Sequence, residues 1–293
     1  MAIEINSTEV LTPPLPSATV MVLRDSDAGP EVLMMRRHGN SGLLGGAWVF
    51  PGGKLDAHDR MFDTAALDQP PERLRERLGE TDLDATTATA LHIAALRETF
   101  EECGLLLGLP ASAQHNEHVR ARLLATEGFS QALGGVGLQP RTQALAPWSR
   151  WITPRVPSVT NKRFDTRFFV ALAPDDQHAA HDNHEATDAV WVAPRTGLQR
   201  YWDGQIDLAP PQIMSLCQLA HFGSVQALLA AAAARPPARV APEPFMQNGE
   251  RVVCYAGDPR HSERLAAWPG PTRLTYRNRR FEPDGGLDAF FAA

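Results

Sequence analysis

Nine consecutive residues constrain this chain more than any others: Arg97-Glu98-Thr99-Phe100-Glu101-Glu102-Cys103-Gly104-Leu105. Read as a helix, the run puts Glu98, Glu101 and Glu102 on one side, because residues three and four apart are neighbours. Three clustered carboxylates repel one another. A divalent cation relieves that repulsion, and hard oxygen ligands at this density suit Mg²⁺ or Mn²⁺ better than Zn²⁺. The helix is expected to begin at Asp84, a good N-cap, and to bury Leu91, Ala94, Ala95, Leu96 and Phe100, which recur at helical spacing. Gly104 supplies the left-handed stop. The plainer reading is an acidic face that is simply solvated. Against it stands Trp48-Val49-Phe50-Pro51-Gly52-Gly53, a short apolar strand entering a Pro-Gly-Gly bend. Glycine there permits close approach of a ligand, and such a bend can offer a backbone carbonyl to a cation held by the helix.

Together these two pieces resemble a Nudix box: Gly, five residues, Glu, seven residues, then Arg-Glu-U-x-Glu-Glu-x-Gly-U, where U is bulky and aliphatic. Gly53 is the first glycine, and Arg97, Glu98, Glu101, Glu102, Gly104 and Leu105 fill the second half. Thr99 stands in the first U position. Gly53 and Arg97 are about 30 residues farther apart than the family's pattern places them, so the box is split by an insertion near residues 60–88. That insertion contains Pro70-Pro71 and a helix-like 72–78. The Glu of the family's first half has no assigned counterpart, although Asp59 keeps the unbroken spacing from Gly53. A split box of this kind resembles the long-insertion branch of Nudix hydrolases that includes the peroxisomal acyl-CoA diphosphatases. The flanks agree: 18–24 and 32–37 read as the first two strands, and 188–194 as the late strand and turn.

The resemblance implies an α/β (α+β) fold, a Nudix α/β/α sandwich with a mixed central sheet. The resemblance covers roughly residues 15–235; the domain is expected to span 1–235 with the insertion, and 236–293 to form a small C-terminal extension. It also implies a metal-dependent hydrolase of a phosphoanhydride in a small nucleoside-diphosphate derivative. Gly53, Glu98, Glu101 and Glu102 would hold Mg²⁺ or Mn²⁺. Arg97 would orient the glutamates, since Glu101 lies four residues on. Glu98 or Glu101 would take the proton of the attacking water. Glu185, in a polar loop before the late strand, is a further candidate ligand or base; a salt bridge to an arginine is the structural alternative. CoA-cleaving members carry an Arg, two small residues, a second Arg and a Gly before Phe-Pro-Gly-Gly. Arg36 and Gly46 fit that pattern, while Arg37, His38 and Gly42 replace its other members. CoA or acyl-CoA is therefore one candidate substrate, with Arg36 a phosphate contact. Arg163 is a second, among Arg155, Lys162 and Arg167; the alternative is pairing of these cations with Asp165. The competing reading is a non-catalytic Nudix-type module that binds a nucleotide metabolite.

Composition narrows the rest. A net charge of −6 offers no general attraction for nucleic acid. Basic charge is almost all arginine, Lys54 and Lys162 being the only lysines. Cys103, Cys217 and Cys254 are scattered, with no Cys-x-x-Cys pair, which argues against structural zinc and for a reducing cytoplasm. The Ala-rich 227–234 is too short to span a bilayer, and no membrane partner and no secretory leader are expected. His92 is read as a surface or packing residue. Pro210 begins a second helix, opposite the box helix. Residues 236–243 look like a linker, and 251–255 with 272–277 like a hairpin, serving as a homodimer contact or a lid.

Overall fold

The computed structural model describes residues 6, 8–39, 44–110, 112–125, 127–179 and 186–292. At its centre lies β1 (Leu15–Ser26). Its near-continuous Ala-Thr-Val-Met-Val-Leu run is what a strand covered on both faces requires. β1 pairs antiparallel with β2 (Gly29–Arg37) and parallel with β6 (Phe164–Leu172). The mixed eight-stranded sheet continues from β2 to β3 (Trp48–Val49), and from β6 to β5 (Ala146–Ile152) and β8 (Ala238–Val240). β4 (Gly52–Lys54) adds to β1, and β7 (Ala186–Val192) to β2.

Alternation along the strands sends side chains to two cores. Val20, Val22, Phe169 and Ala171 face α2 (Ala85–Cys103). Met21, Leu23, Phe168 and Val170 face α6 (Pro210–Leu219) and α7 (Val225–Ala234). The two helices that the sequence sets on opposite faces are therefore on opposite faces. Asp84 caps α2 by accepting from Thr87 N–H at 2.8 Å, and Gly104 ends it with φ of 72°. Thr99, in a slot the family gives to an aliphatic, is fully buried and donates its hydroxyl to the Ala95 carbonyl at 2.8 Å.

The insertion, near 60–88, carries α1 (Pro71–Leu78), which packs against α2. Glu80 fastens it: its carboxylate accepts from Arg167 at 2.9 and 2.5 Å, and Arg150 lies 2.8 Å away. Asp165 joins the same network through Arg150 and Arg167. Arg167 is thus a buried structural cation, which was the alternative to its role as a phosphate grip.

Two readings need correction. Residues 238–240 are not linker but a parallel strand on β5. The expected hairpin is a four-stranded antiparallel sheet, β9 (Glu243–Gln247), β10 (Glu250–Cys254), β11 (Arg273–Arg277) and β12 (Arg280–Glu282). Its Val253, Leu274 and Phe281 belong to the same core as α6. The polar, positive-φ turns at Asn248-Gly249 and Asn278-Arg279 hide these short strands in the sequence. No helix among the described residues is long and apolar enough to cross a membrane.

His92 lies wholly inside, 4.9 Å from the Phe169 ring, with Nδ1–H donating to the Ala88 carbonyl and Nε2 unpartnered. Burial pushes its pKa down to about 4. An unfolded histidine titrates near 6.5. Between those values the unfolded chain binds a proton that the folded chain refuses, so stability falls as pH drops through the window. The expected loss reaches about 3 kcal/mol. Urea denaturation at pH 7 and pH 4.5 should show this loss in the wild type and a smaller one in His92→Phe.

Candidate active site

The box is reassembled in space around Arg97. Its guanidinium meets Asp59 side on, Nε to Oδ1 at 2.8 Å and Nη2 to Oδ2 at 2.9 Å. Nη1 donates to Glu98 at 2.9 Å and to Glu101 at 2.7 Å, and Nη2 to the Lys54 carbonyl at 3.1 Å. One side chain therefore ties the first half of the motif to the second, across the insertion. Burial opposes the charge on Arg97, but Asp59, Glu98 and Glu101 outweigh it and hold its pKa above the ordinary value. Asp59 is buried in a short helical turn, His58–Arg60. It keeps the spacing from Gly53 that the family gives its middle acid, and it meets the box arginine in space.

The Pro-Gly-Gly bend touches the helix directly. Gly52 N–H donates to Glu102 Oε2 at 3.0 Å. A Cβ on Gly53 would stand 2.3 Å from Glu98 Oε1, and one on Gly52 would stand 2.4 Å from the Ala18 carbonyl. Only hydrogen fits at either place, for different reasons. In Gly53→Ala the flexible end of Glu98 can yield, so turnover is expected to fall at least tenfold with little loss of stability. In Gly52→Ala the obstacle is the neighbouring strand itself, and overpacking should cost about 2 kcal/mol. Thermal melts and turnover on the two variants separate these effects.

Among the described residues no three acidic, histidine or cysteine groups stand ready as a metal cage. Glu98 and Glu101 lean on Arg97, while Glu102 leans on Gly52. The donor set nonetheless fits a hard divalent cation: three carboxylates within about one helical turn, set directly against a glycine bend where a Cβ at Gly53 would meet the Glu98 carboxylate. Glu101 is the most open of these acids, its side chain 39% exposed against 13% for Glu98.

Beside the bend opens a cleft of about 1010 Å³. Gly52 and Gly53 line it, so they border both the glutamates and the cavity. Among the described residues its charged lining is Arg37, Lys54 and Lys162, with no carboxylate. In a chain of net charge −6 that is a local reversal of sign. Arg37, not Arg36, lines the cleft, and its Nε is buried without a partner among the described residues. Arg36 is exposed and paired across to Trp48. The β2–β7 pairing shifts register at these two arginines, with Thr187 of β7 the unpaired residue. Arg163 is spent elsewhere, on the Thr153 and Thr12 carbonyls, and is not among the cleft's lining residues. Glu185 lies outside the described residues, as do Gly42, His181 and His184.

A Nudix sandwich with its box closed in space is the class these features define. The solved Nudix hydrolase from Alicyclobacillus acidocaldarius is 26% identical with a TM-score of 0.58, covering 75% of this chain and 97% of that one. The family model of the NUDT19 Nudix domain matches residues 12–219, and the chain belongs to that family. The acyl-coenzyme A diphosphatase NUDT19 of Xenopus laevis is 30% identical over 234 residues, 68% of this chain and 62% of that protein. Its human counterpart is 30% identical over 240 residues, 68% and 63% of the two chains. The chain thus spans just under two thirds of the length of these relatives.

Proposed function

We propose that this chain is a Nudix diphosphatase that hydrolyses the diphosphate bond of CoA or an acyl-CoA, with Mg²⁺ or Mn²⁺ as cofactor. The observation that carries the reading is the Arg97 hub, which joins Asp59, Glu98 and Glu101 beside the Gly52–Gly53 bend. A diphosphate's charge repels an incoming water, and a bound divalent ion would neutralise it and orient the attack. Glu98, Glu101 and Glu102 would hold that ion. Arg97 fixes the carboxylates by charge-assisted hydrogen bonds, and its own orientation is fixed by Asp59. Glu101, open to solvent, is the carboxylate assigned to accept the proton of the attacking water. Arg37, with a buried unpartnered Nε, and Lys54 would grip the phosphates.

The names of the relatives supply the choice of CoA, and the basic cleft agrees with an anionic substrate of that size. The alternative of a non-catalytic binding module rested on an insertion that could block the site and on the missing middle acid; the open cleft beside the glycine bend and the Asp59–Arg97 pair favour the hydrolase. The test is a panel of CoA, acyl-CoAs, ADP-ribose, dinucleotides and oxidised nucleotides with Mg²⁺ and with Mn²⁺, products read by mass spectrometry. The expected products from CoA are adenosine 3′,5′-bisphosphate and 4′-phosphopantetheine. Binding without product release across the panel would overturn the proposal.

A further inference from the structure

The floor of the cleft is one register row of the central sheet. Lys54 on β4 stands opposite Ser17 on β1, Ser17 opposite Thr166 on β6, and Thr166 opposite Trp151 on β5. All four line the cleft. Ser17 and Thr166 share a hydrogen bond of 2.7 Å, so their side chains lie on the same face. Four strands leave three gaps of about 4.8 Å, and the floor runs ~14 Å from the glycine bend to Trp151. Along the way it loses polarity, from Lys54 through the two hydroxyls to the indole. At the far end the wall changes origin. Trp151 packs edge-on against Tyr255 at 6.0 Å, and the cleft is closed there by Val253 and Pro242. Val253 lies on β10 and Pro242 in the link between β8 and β9, both after residue 219 and outside the span of the family match.

Resting on the CoA reading above, we infer that the C-terminal strands form the acyl-chain subsite, with Val253 and Pro242 setting the chain length accepted. The reach of the substrate agrees. From a diphosphate phosphorus to the sulfur of an extended pantetheine arm is about thirteen bonds, each advancing roughly 1.25 Å, or ~16 Å in all. A diphosphate at Gly52–Gly53 with its arm laid along the row delivers the thioester near Trp151. The arm's amides pass the hydroxyls of Ser17 and Thr166, and the chain beyond the thioester meets Val253. An apolar chain gains by burial against that wall, whereas free CoA ends before reaching it. This surface therefore discriminates among acyl-CoAs and leaves the hydrolytic groups untouched.

The test uses the full chain with free, acetyl-, octanoyl- and dodecanoyl-CoA. Turnover is measured with Mg²⁺, and binding by calorimetry in EDTA. In the wild type the longer chains should bind at least tenfold tighter than acetyl-CoA. Val253→Phe should weaken octanoyl- and dodecanoyl-CoA at least tenfold, in binding and in kcat/KM, while free and acetyl-CoA stay within twofold. Because Val253 is packed in the core, Pro242→Trp, at a half-buried position on the rim, is the second variant and should give the same selective loss. Equal loss for all four ligands in a folded variant, or no dependence on chain length in the wild type, overturns the subsite. The two readings fail separately. Graded binding without turnover refutes the catalytic assignment and keeps the subsite, whereas turnover without any grading does the reverse.

Discussion

Asp59→Asn is expected to lose both stability and activity. The carboxylate is buried and takes two N–H bonds from Arg97. Asparagine offers one oxygen and turns an amide donor toward a guanidinium that is itself only a donor. Breaking a buried pair by removing one partner costs about 3 kcal/mol or more, because the remaining charge has lost its compensation. Glu98 and Glu101 retain contact with Arg97, which places the loss at the lower end. The larger effect should be on turnover, since Arg97 would be free to swing and take both glutamates with it. Urea denaturation and the rate of CoA hydrolysis with Mg²⁺ measure the two. A variant with wild-type values of both would show that the hub is not held from the Asp59 side.

Glu101→Gln should leave stability almost unchanged and cost more in catalysis. The side chain is partly exposed and is tied to Arg97 four residues earlier. Exposed pairs of this kind contribute little, so the fold should survive within about 0.5 kcal/mol. Turnover under saturating Mg²⁺ should fall about a thousandfold, within the range for loss of a positioned proton acceptor. Full activity in this variant would assign the proton to another group. The contrast between the two variants separates a carboxylate that positions from one that reacts.

Much of the site could be read from local spacing. The helix from Asp84 to Gly104, its cap, its stop and its turn of three glutamates are set by contacts within a few residues. So are the glycine bend and the two first strands, whose near-continuous apolar runs are buried on both faces. The reading faltered where a side chain's role depends on something distant. Asp59 looked ordinary because its partner is 38 residues away. Arg36 fits a linear pattern before Phe-Pro-Gly-Gly, but a linear pattern does not say which side chain borders a cleft built from distant segments; Arg37 borders it. Arg163 and Arg167 resembled phosphate grips, yet carbonyls and Glu80 had already engaged them. The residues after 235 looked like an appendage because their strands are short and each is incomplete without the others.

The sequence alone determined the acidic helix, the bend that faces it and the family to which they point, because helical periodicity and glycine's freedom operate over a few residues. Only the tertiary structure decided that both halves of the box meet at one guanidinium, and that the C-terminal strands wall the far end of the cleft. Those facts depend on which surfaces become neighbours when the sheet closes. That is fixed by burial over the whole chain and leaves no mark on any single stretch of it.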